Sequence, residues 1–210
     1  MDKNFKINSK SLLAVEGKDE CNFFEALLKY LLIKDVQWVD IGGKDQFSDG
    51  LNALYNLEGF RSIERLGFVR DAETGIAESA FQSICGILGK LNLPFPSKLN
   101  EIKVQGSMRV GIYIMPDNSG SGMLENLCLQ SIKDEPITGC IDSYIHCFSS
   151  HIPDIEKSKY NDPKARVQAY LASRAPIVNS LGLAAKREFW NFKHPGFDDI
   201  KNFIQSLFKL

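Results

Sequence analysis

Three acidic residues stand at positions from which an α/β chain can present carboxylates to one another. Glu16 follows the apolar run Ser11-Leu12-Leu13-Ala14-Val15 and precedes Gly17-Lys18, after which helical periodicity begins. Asp71 and Glu73 follow a second such run, Leu66-Gly67-Phe68-Val69-Arg70, and another helical stretch opens near Gly75. In a parallel sheet the carboxyl ends of the strands line a shared crevice, so acids at these two exits are expected to converge. Oxygen-rich clusters of that kind suit Mg²⁺ or Mn²⁺, hard cations that keep several waters and serve phosphate chemistry.

Other residues could complete such a site. Asp117, in Pro116-Asp117-Asn118, and Glu125, in Gly122-Met123-Leu124-Glu125, follow a later strand-like run and are candidate ligands. Asp117 reads equally well as a turn former, since Asp and Asn bond their own backbone in turns. Lys18, Lys44 and Lys164 fall in or beside loops where an ammonium can meet a phosphate oxygen as a point charge. Asp19 is read as the N-cap of the first helix and Glu20 as a first-turn acid, both favoured there by the helix dipole. Glu16 taken alone admits the same reading. Gly42-Gly43-Lys44 lacks the upstream glycine and the Ser or Thr of a phosphate loop.

The elements that must position these residues alternate in type. Leu12–Val15, Val36–Ile41, a run ending at Asp71, and Arg109–Met115 read as four strands. Helical stripes separate them: Phe24, Leu27, Leu28 and Leu31; Phe47, Leu51 and Leu54; Ala77, Phe81, Ile84 and Leu88; and a stretch from about Met123 to Ile132. Between Asn92 and Ser107 the pattern lapses, with Pro94 and Pro96 marking an irregular connection. From Ile137 onward helices and loops follow, ending in an amphipathic helix with Phe197, Ile200, Ile204 and Leu207. The expected fold is α/β, a mostly parallel sheet with helices on both faces. Residues 1–210 read as one domain, with an α/β core over 8–135 and a helical C-terminal elaboration over 136–210.

Composition narrows the function classes. The chain carries 25 Lys and Arg against 26 Asp and Glu, so it lacks the overall basic charge of many nucleic-acid binders. The balance is uneven: from His151 onward there are ten basic and six acidic residues, which places any phosphate-attracting surface toward the C-terminal third. No apolar run is long enough to span a bilayer and the start lacks a secretory signal, so a cytoplasmic protein with no membrane partner is expected. The five cysteines are scattered without a CxxC pair. Cys140 and Cys147, with His146 and His151, form the one Cys/His cluster, although their spacing also fits a single apolar helix face.

Glu16-Gly17 after a first strand and Asp71-x-Glu73 after a third resemble the Toprim domain found in topoisomerases, bacterial primases, recombination-repair proteins and old-family nucleases. The resemblance covers roughly the first 120 residues and implies a Rossmann-like core. It implies that Glu16, Asp71 and Glu73 bind Mg²⁺ or Mn²⁺ and assist phosphoryl transfer, with Glu16 as ligand or general base, on a DNA or RNA substrate. The sequence departs from the family's DxD motif in having Glu73 at the second position. The segment holding Asp117 and Glu125 is similar to small stand-alone Toprim-like proteins and to the old-family arrangement in which later acids hold a second metal. Lys18 and Lys164 join Glu16 as candidate catalytic groups. Two other readings stay open. One is a non-catalytic Toprim-like module that binds nucleotide, nucleic acid or protein. The other takes Asp71-Ala72-Glu73-Thr74 as a distorted haloacid-dehalogenase motif of a phosphatase.

Overall fold

The computed structural model describes residues 5–157 and 159–209. Its sheet contains β1 (Ser11–Val15), β2 (Val36–Asp40), β3 (Arg65–Asp71), β4 (Ile102–Gln105) and β5 (Met108–Met115), in spatial order β2-β1-β3-β5-β4. The first three strands and β5 run parallel, and β4 pairs antiparallel with β5 at the edge. The α/β class and the four parallel strands agree with the sequence-based expectation. The stretch read as an irregular connection contains β4, a four-residue strand whose mostly exposed side chains leave no apolar period to detect.

Between the strands lie α1 (Lys18–Tyr30), α2 (Phe47–Tyr55) and α3 (Ala77–Lys90), and beyond β5 come α4 (Leu124–Gln130) and α5 (Ile137–Ser149). The short α6 (Asp154–Lys157) is followed by α7 (Asp162–Ala172), α8 (Leu181–Lys186) and α9 (Asp198–Phe208). Strand alternation sorts the core into two layers. Leu12, Ala14, Leu66 and Phe68 pack with Leu51 and Leu54 of α2 and Phe81 and Ile84 of α3. Leu13, Val15 and Val69 pack with α1, α4 and the helices that follow, through residues such as Phe24, Leu127, Tyr170 and Ile204. Burying each such side chain contributes about 1.5–3 kcal/mol, so both faces draw on a substantial apolar contact.

The C-terminal helix needs a trough in the sheet, and two glycines make it. Gly67 of β3 and Gly111 of β5 are register partners. A Cβ on Gly67 would lie 2.9 Å from Leu207 Cδ2, and one on Gly111 would lie 2.8 Å from Phe203 Cε2. The absence of side chains at this pair lets α9 settle directly onto β3 and β5.

The order of the strands fixes where a ligand crevice opens. The chain steps outward from β1 to β2 through α1, then returns past β1 to β3 through α2, so the winding direction reverses at the β1–β3 junction. After these adjacent parallel strands α1 and α3 leave on opposite faces. Open α/β sheets bind ligands at such switch points, outside the carboxyl ends of the strands.

Candidate functional site

Strand register brings the first pair of residues together. Ala14 is opposite Phe68, so Glu16, just past the end of β1, comes to lie beside Arg70 of β3. Arg70 Nε donates to Glu16 Oε1 at 3.1 Å. The arginine is 5% exposed, its guanidinium stacks 5.4 Å from the centroid of the Phe47 ring, and Nη1 reaches Ser83 Oγ at 3.4 Å. It is therefore fixed by α2 and α3 and in turn fixes Glu16.

The next residue, Asp71, serves the other face. Its Oδ1 accepts the backbone N–H of Leu124 at 3.1 Å, which ties the exit of β3 to the first residue of α4. Glu125 lies in that same first turn and Glu20 in the first turn of α1. Glu16, Glu20, Asp71 and Glu125 thus stand around the β1–β3 switch point without closing on one another, near enough for their charges to interact. Burial pushes the Glu16 carboxyl from 4.5 up to about 7; Arg70 opposes the rise, while Glu20 and Glu73 add to it. Burial, followed by repulsion from Glu16, Glu20 and Glu125, drives Asp71 well above the usual carboxylate range. Glu20 is raised by burial and then by Asp19, Glu125 and Asp40, against the lowering effect of its own backbone N–H. Carboxyls that are desolvated and share a site resist losing all their protons together.

Glu73 stands at the rim. Its backbone has φ 55°, a left-handed conformation costing a non-glycine residue about 1–2 kcal/mol, and two hydrogen bonds of 2.8 Å with Gly122 hold it there. These bonds stitch the β3–α3 loop to the β5–α4 loop. The Glu73 side chain is 44% exposed and lies 3.8 Å from Lys44 Nζ.

The remaining sequence-predicted residues divide. Asp117 accepts Ser119 N–H, Ser119 Oγ–H and Gly120 N–H on one oxygen, the geometry of a turn lock. Burial works against its ionisation, yet these bonds hold its carboxyl below the usual range. Lys18 is the exposed first residue of α1. Lys164 is exposed in the first turn of α7, whose N-cap Asn161 touches Met123 Sδ at 3.8 Å, so that turn lies beside the start of α4. Among the described residues no three His, Cys, Asp or Glu side chains are close enough in this arrangement to enclose a metal ion.

Two expectations are corrected. The N-cap of α1 is Gly17, with no side-chain cap bond, while Asp19 bonds the start of a different helix, α8, whose N-cap is Ser180. The Asp19 carboxylate accepts the backbone N–H groups of Leu181 at 3.1 Å and Gly182 at 3.0 Å, and the Ser180 hydroxyl, at the start of α8. A Cβ on Gly182 would lie 2.2 Å from the Asp19 carbonyl oxygen, so glycine is what admits this close approach of α8 to α1. Cys140 and Cys147 are both exposed, and the buried face of α5 is instead Ile141 and Ile145. Sequence reading missed Glu20 and Arg70 as members of the site. Glu20 stands in the first turn of the helix that follows the Glu16 exit, and Arg70 is a charged residue inside an otherwise buried strand, which demands a buried partner.

This architecture defines a doubly wound α/β protein with carboxylates gathered at its switch point. The chain belongs to the family described as protein of unknown function (DUF3226), whose model matches residues 10–209. No curated protein matches it. Among solved structures the C-terminal region of the Xanthomonas campestris pv. campestris OLD protein aligns over 87% of this chain and 80% of that one, with 13% identity and a TM-score of 0.35. At that level the two chains share too little for one to inform the other. No helix among the described residues is long and apolar enough to cross a membrane.

Proposed function

We propose that the chain is a Toprim-like protein whose switch-point carboxylates hold Mg²⁺ or Mn²⁺ and which hydrolyses nucleic-acid phosphodiesters. The observation that supports this reading is that Glu16, Glu20, Asp71 and Glu125 stand at the exits of β1 and β3 and the starts of α1 and α4, within electrostatic reach of one another, with one buried guanidinium among them. Part-buried carboxyls that resist ionising together offer hard oxygen donors to a divalent cation, which would take the place of their protons. Asp71, Glu20 and Glu125 would hold the ion, with Glu73 at the rim. When bound, the ion supplies charge neutralisation at a phosphate oxygen.

The chain's own residues then have separate tasks. Glu16, held by Arg70, takes a proton from the attacking water as oxygen bonds to phosphorus. The phosphorus–oxygen bond to the leaving strand breaks, and that oxygen is protonated from solvent. Lys18, Lys44 and Lys164 meet phosphate oxygens as point charges. The test is hydrolysis of DNA and RNA at low salt with Mn²⁺, comparing wild type with Glu16→Gln and Asp71→Asn. Slow cleavage lost in both variants supports the reading, and wild-type rates in either variant reject it.

One observation favours a non-catalytic binding module. Glu16 is already paired with Arg70, and Glu73 with Lys44, as expected of carboxylates kept for structure. Metal binding without turnover on any nucleic acid would select that reading. Asp71, desolvated and bonded to the Leu124 N–H, is poorly placed as a phosphatase nucleophile.

A further inference from the structure

A cavity lies at the opposite end of the sheet from the acids. It is a groove of about 770 Å³ between the C-terminal half of α1, the start of β2 and the segment after α8. Its floor is apolar, formed by Leu28, Val36, Trp38, Trp190 and Phe192. Tyr30 forms a wall, 42% exposed, with its ring centroid 5.5 Å from that of Phe192. The rim is cationic. Lys29, Lys34 and Lys193 line it, are exposed, and have no ion-pair partner among the described residues, whereas Lys186 is neutralised by Glu25 at 2.5 Å. Asp35 and Glu188 share the rim without pairing to any of the three.

These features specify a ligand with two unlike ends. A flat, half-open apolar bed with an aromatic wall accepts a planar ring by stacking, and every nucleobase offers a π-face. Compact ammonium groups on flexible stems recognise phosphate as point charges, and three of them match a ligand carrying two or three negative charges. The volume is in the range of small-molecule sites and suits a nucleotide. We propose that this groove is a binding site for a free nucleoside polyphosphate, with the base against Tyr30 and Trp38 and the phosphates on Lys29, Lys34 and Lys193. It needs neither the carboxylates nor a metal.

Trp38 and Trp190 are the chain's two tryptophans and both line the groove, so intrinsic fluorescence reports on its occupancy. The protein is titrated with ADP in EDTA, which keeps any divalent ion from bridging ADP to the distant acids. Saturable quenching is expected. It should weaken by about tenfold or more in Lys29→Glu/Lys34→Glu, since each reversal exchanges attraction for repulsion at short range. It should be unchanged in Asp71→Asn, so failure at the acid site and failure here are read separately. Far-UV circular dichroism and melting of the double variant confirm that it folds, and Lys193→Glu gives an independent arm. No saturable quenching at millimolar ADP, equal affinity for adenosine, or equal affinity for tripolyphosphate would each overturn the proposal.

Discussion

Arg70 Nε lies 3.1 Å from Glu16 Oε1 across the seam between β1 and β3, and the arginine that makes this bond is 5% exposed. A buried charge pair of this kind gives little net stability over an apolar pair, but removing one partner leaves the other desolvated and alone. Arg70→Met is therefore expected to cost about 3–5 kcal/mol in denaturant unfolding at pH 8. Arg70→Met combined with Glu16→Gln should recover a large part of that loss. Additive losses in the double-mutant cycle would show that the pair is not coupled.

Stability should also depend on pH in an unusual direction. The Glu16 carboxyl has its folded value raised from 4.5 to about 7, and Asp71 is raised well above its ordinary value. Between about 4.5 and 7 the native state therefore binds more protons than the unfolded chain, so stability falls as pH rises through that window. In EDTA the melting temperature should be higher at pH 5.5 than at pH 8, and Glu16→Gln should flatten the difference. A wild-type profile that rises with pH over this range would contradict the assigned burial.

Divalent metal should reverse that loss if the carboxylates hold it. A ligand bound only by the native state at 100 times its Kd adds about 2.7 kcal/mol. In a chain of this size that corresponds to a rise of about 5–10 °C in melting temperature. Mn²⁺ or Mg²⁺ is expected to give such a rise at pH 8, and Asp71→Asn with Glu73→Gln to abolish it. An unchanged response in the double variant would place the ion elsewhere.

Asp19 and Glu20 are sequence neighbours with different work, and substitution should separate them. Asp19→Ala leaves the N-cap Ser180 of α8 but removes the carboxylate that accepts the Leu181 and Gly182 N–H groups, and should cost about 1–2 kcal/mol without altering the metal response. Gly182→Ala, which forces a Cβ onto the Asp19 carbonyl, should destabilise by about 1–3 kcal/mol through the same contact. Glu20→Gln should weaken the metal response, and it relieves repulsion on Asp71. Equal metal responses in Glu20→Gln and wild type would remove Glu20 from the site.

The contrast between these two acids shows what a sequence carries and what it hides. Strands β1, β3 and β5 are legible because buried parallel strands are near-continuous apolar runs with abrupt exits, and the edge strand β2 because its Val-x-Trp-Val pattern is β-prone and ends at a Gly-Gly turn. The exit acids Glu16, Asp71 and Glu73 could be read for the same reason. The β4 strand was hidden because an edge strand with exposed side chains has no buried face, although the Gly106-Ser107 step between Gln105 and Met108 is a hairpin cue. Asp19 was misassigned because a cap is recognised by local spacing, and its partners lie more than 160 residues away. Arg70 went unnoticed as a site member because its partner depends on strand order, which no local pattern encodes.

The anomalous difference map of crystals grown with saturating Mn²⁺ tests the metal site directly. The predicted result is one or two peaks at the carboxyl ends of β1 and β3, ligated by Asp71 together with Glu20, Glu125 or Glu16 at about 2.0–2.3 Å. No peak at the switch point despite saturating Mn²⁺, or a peak only on residues outside this group, would contradict the account.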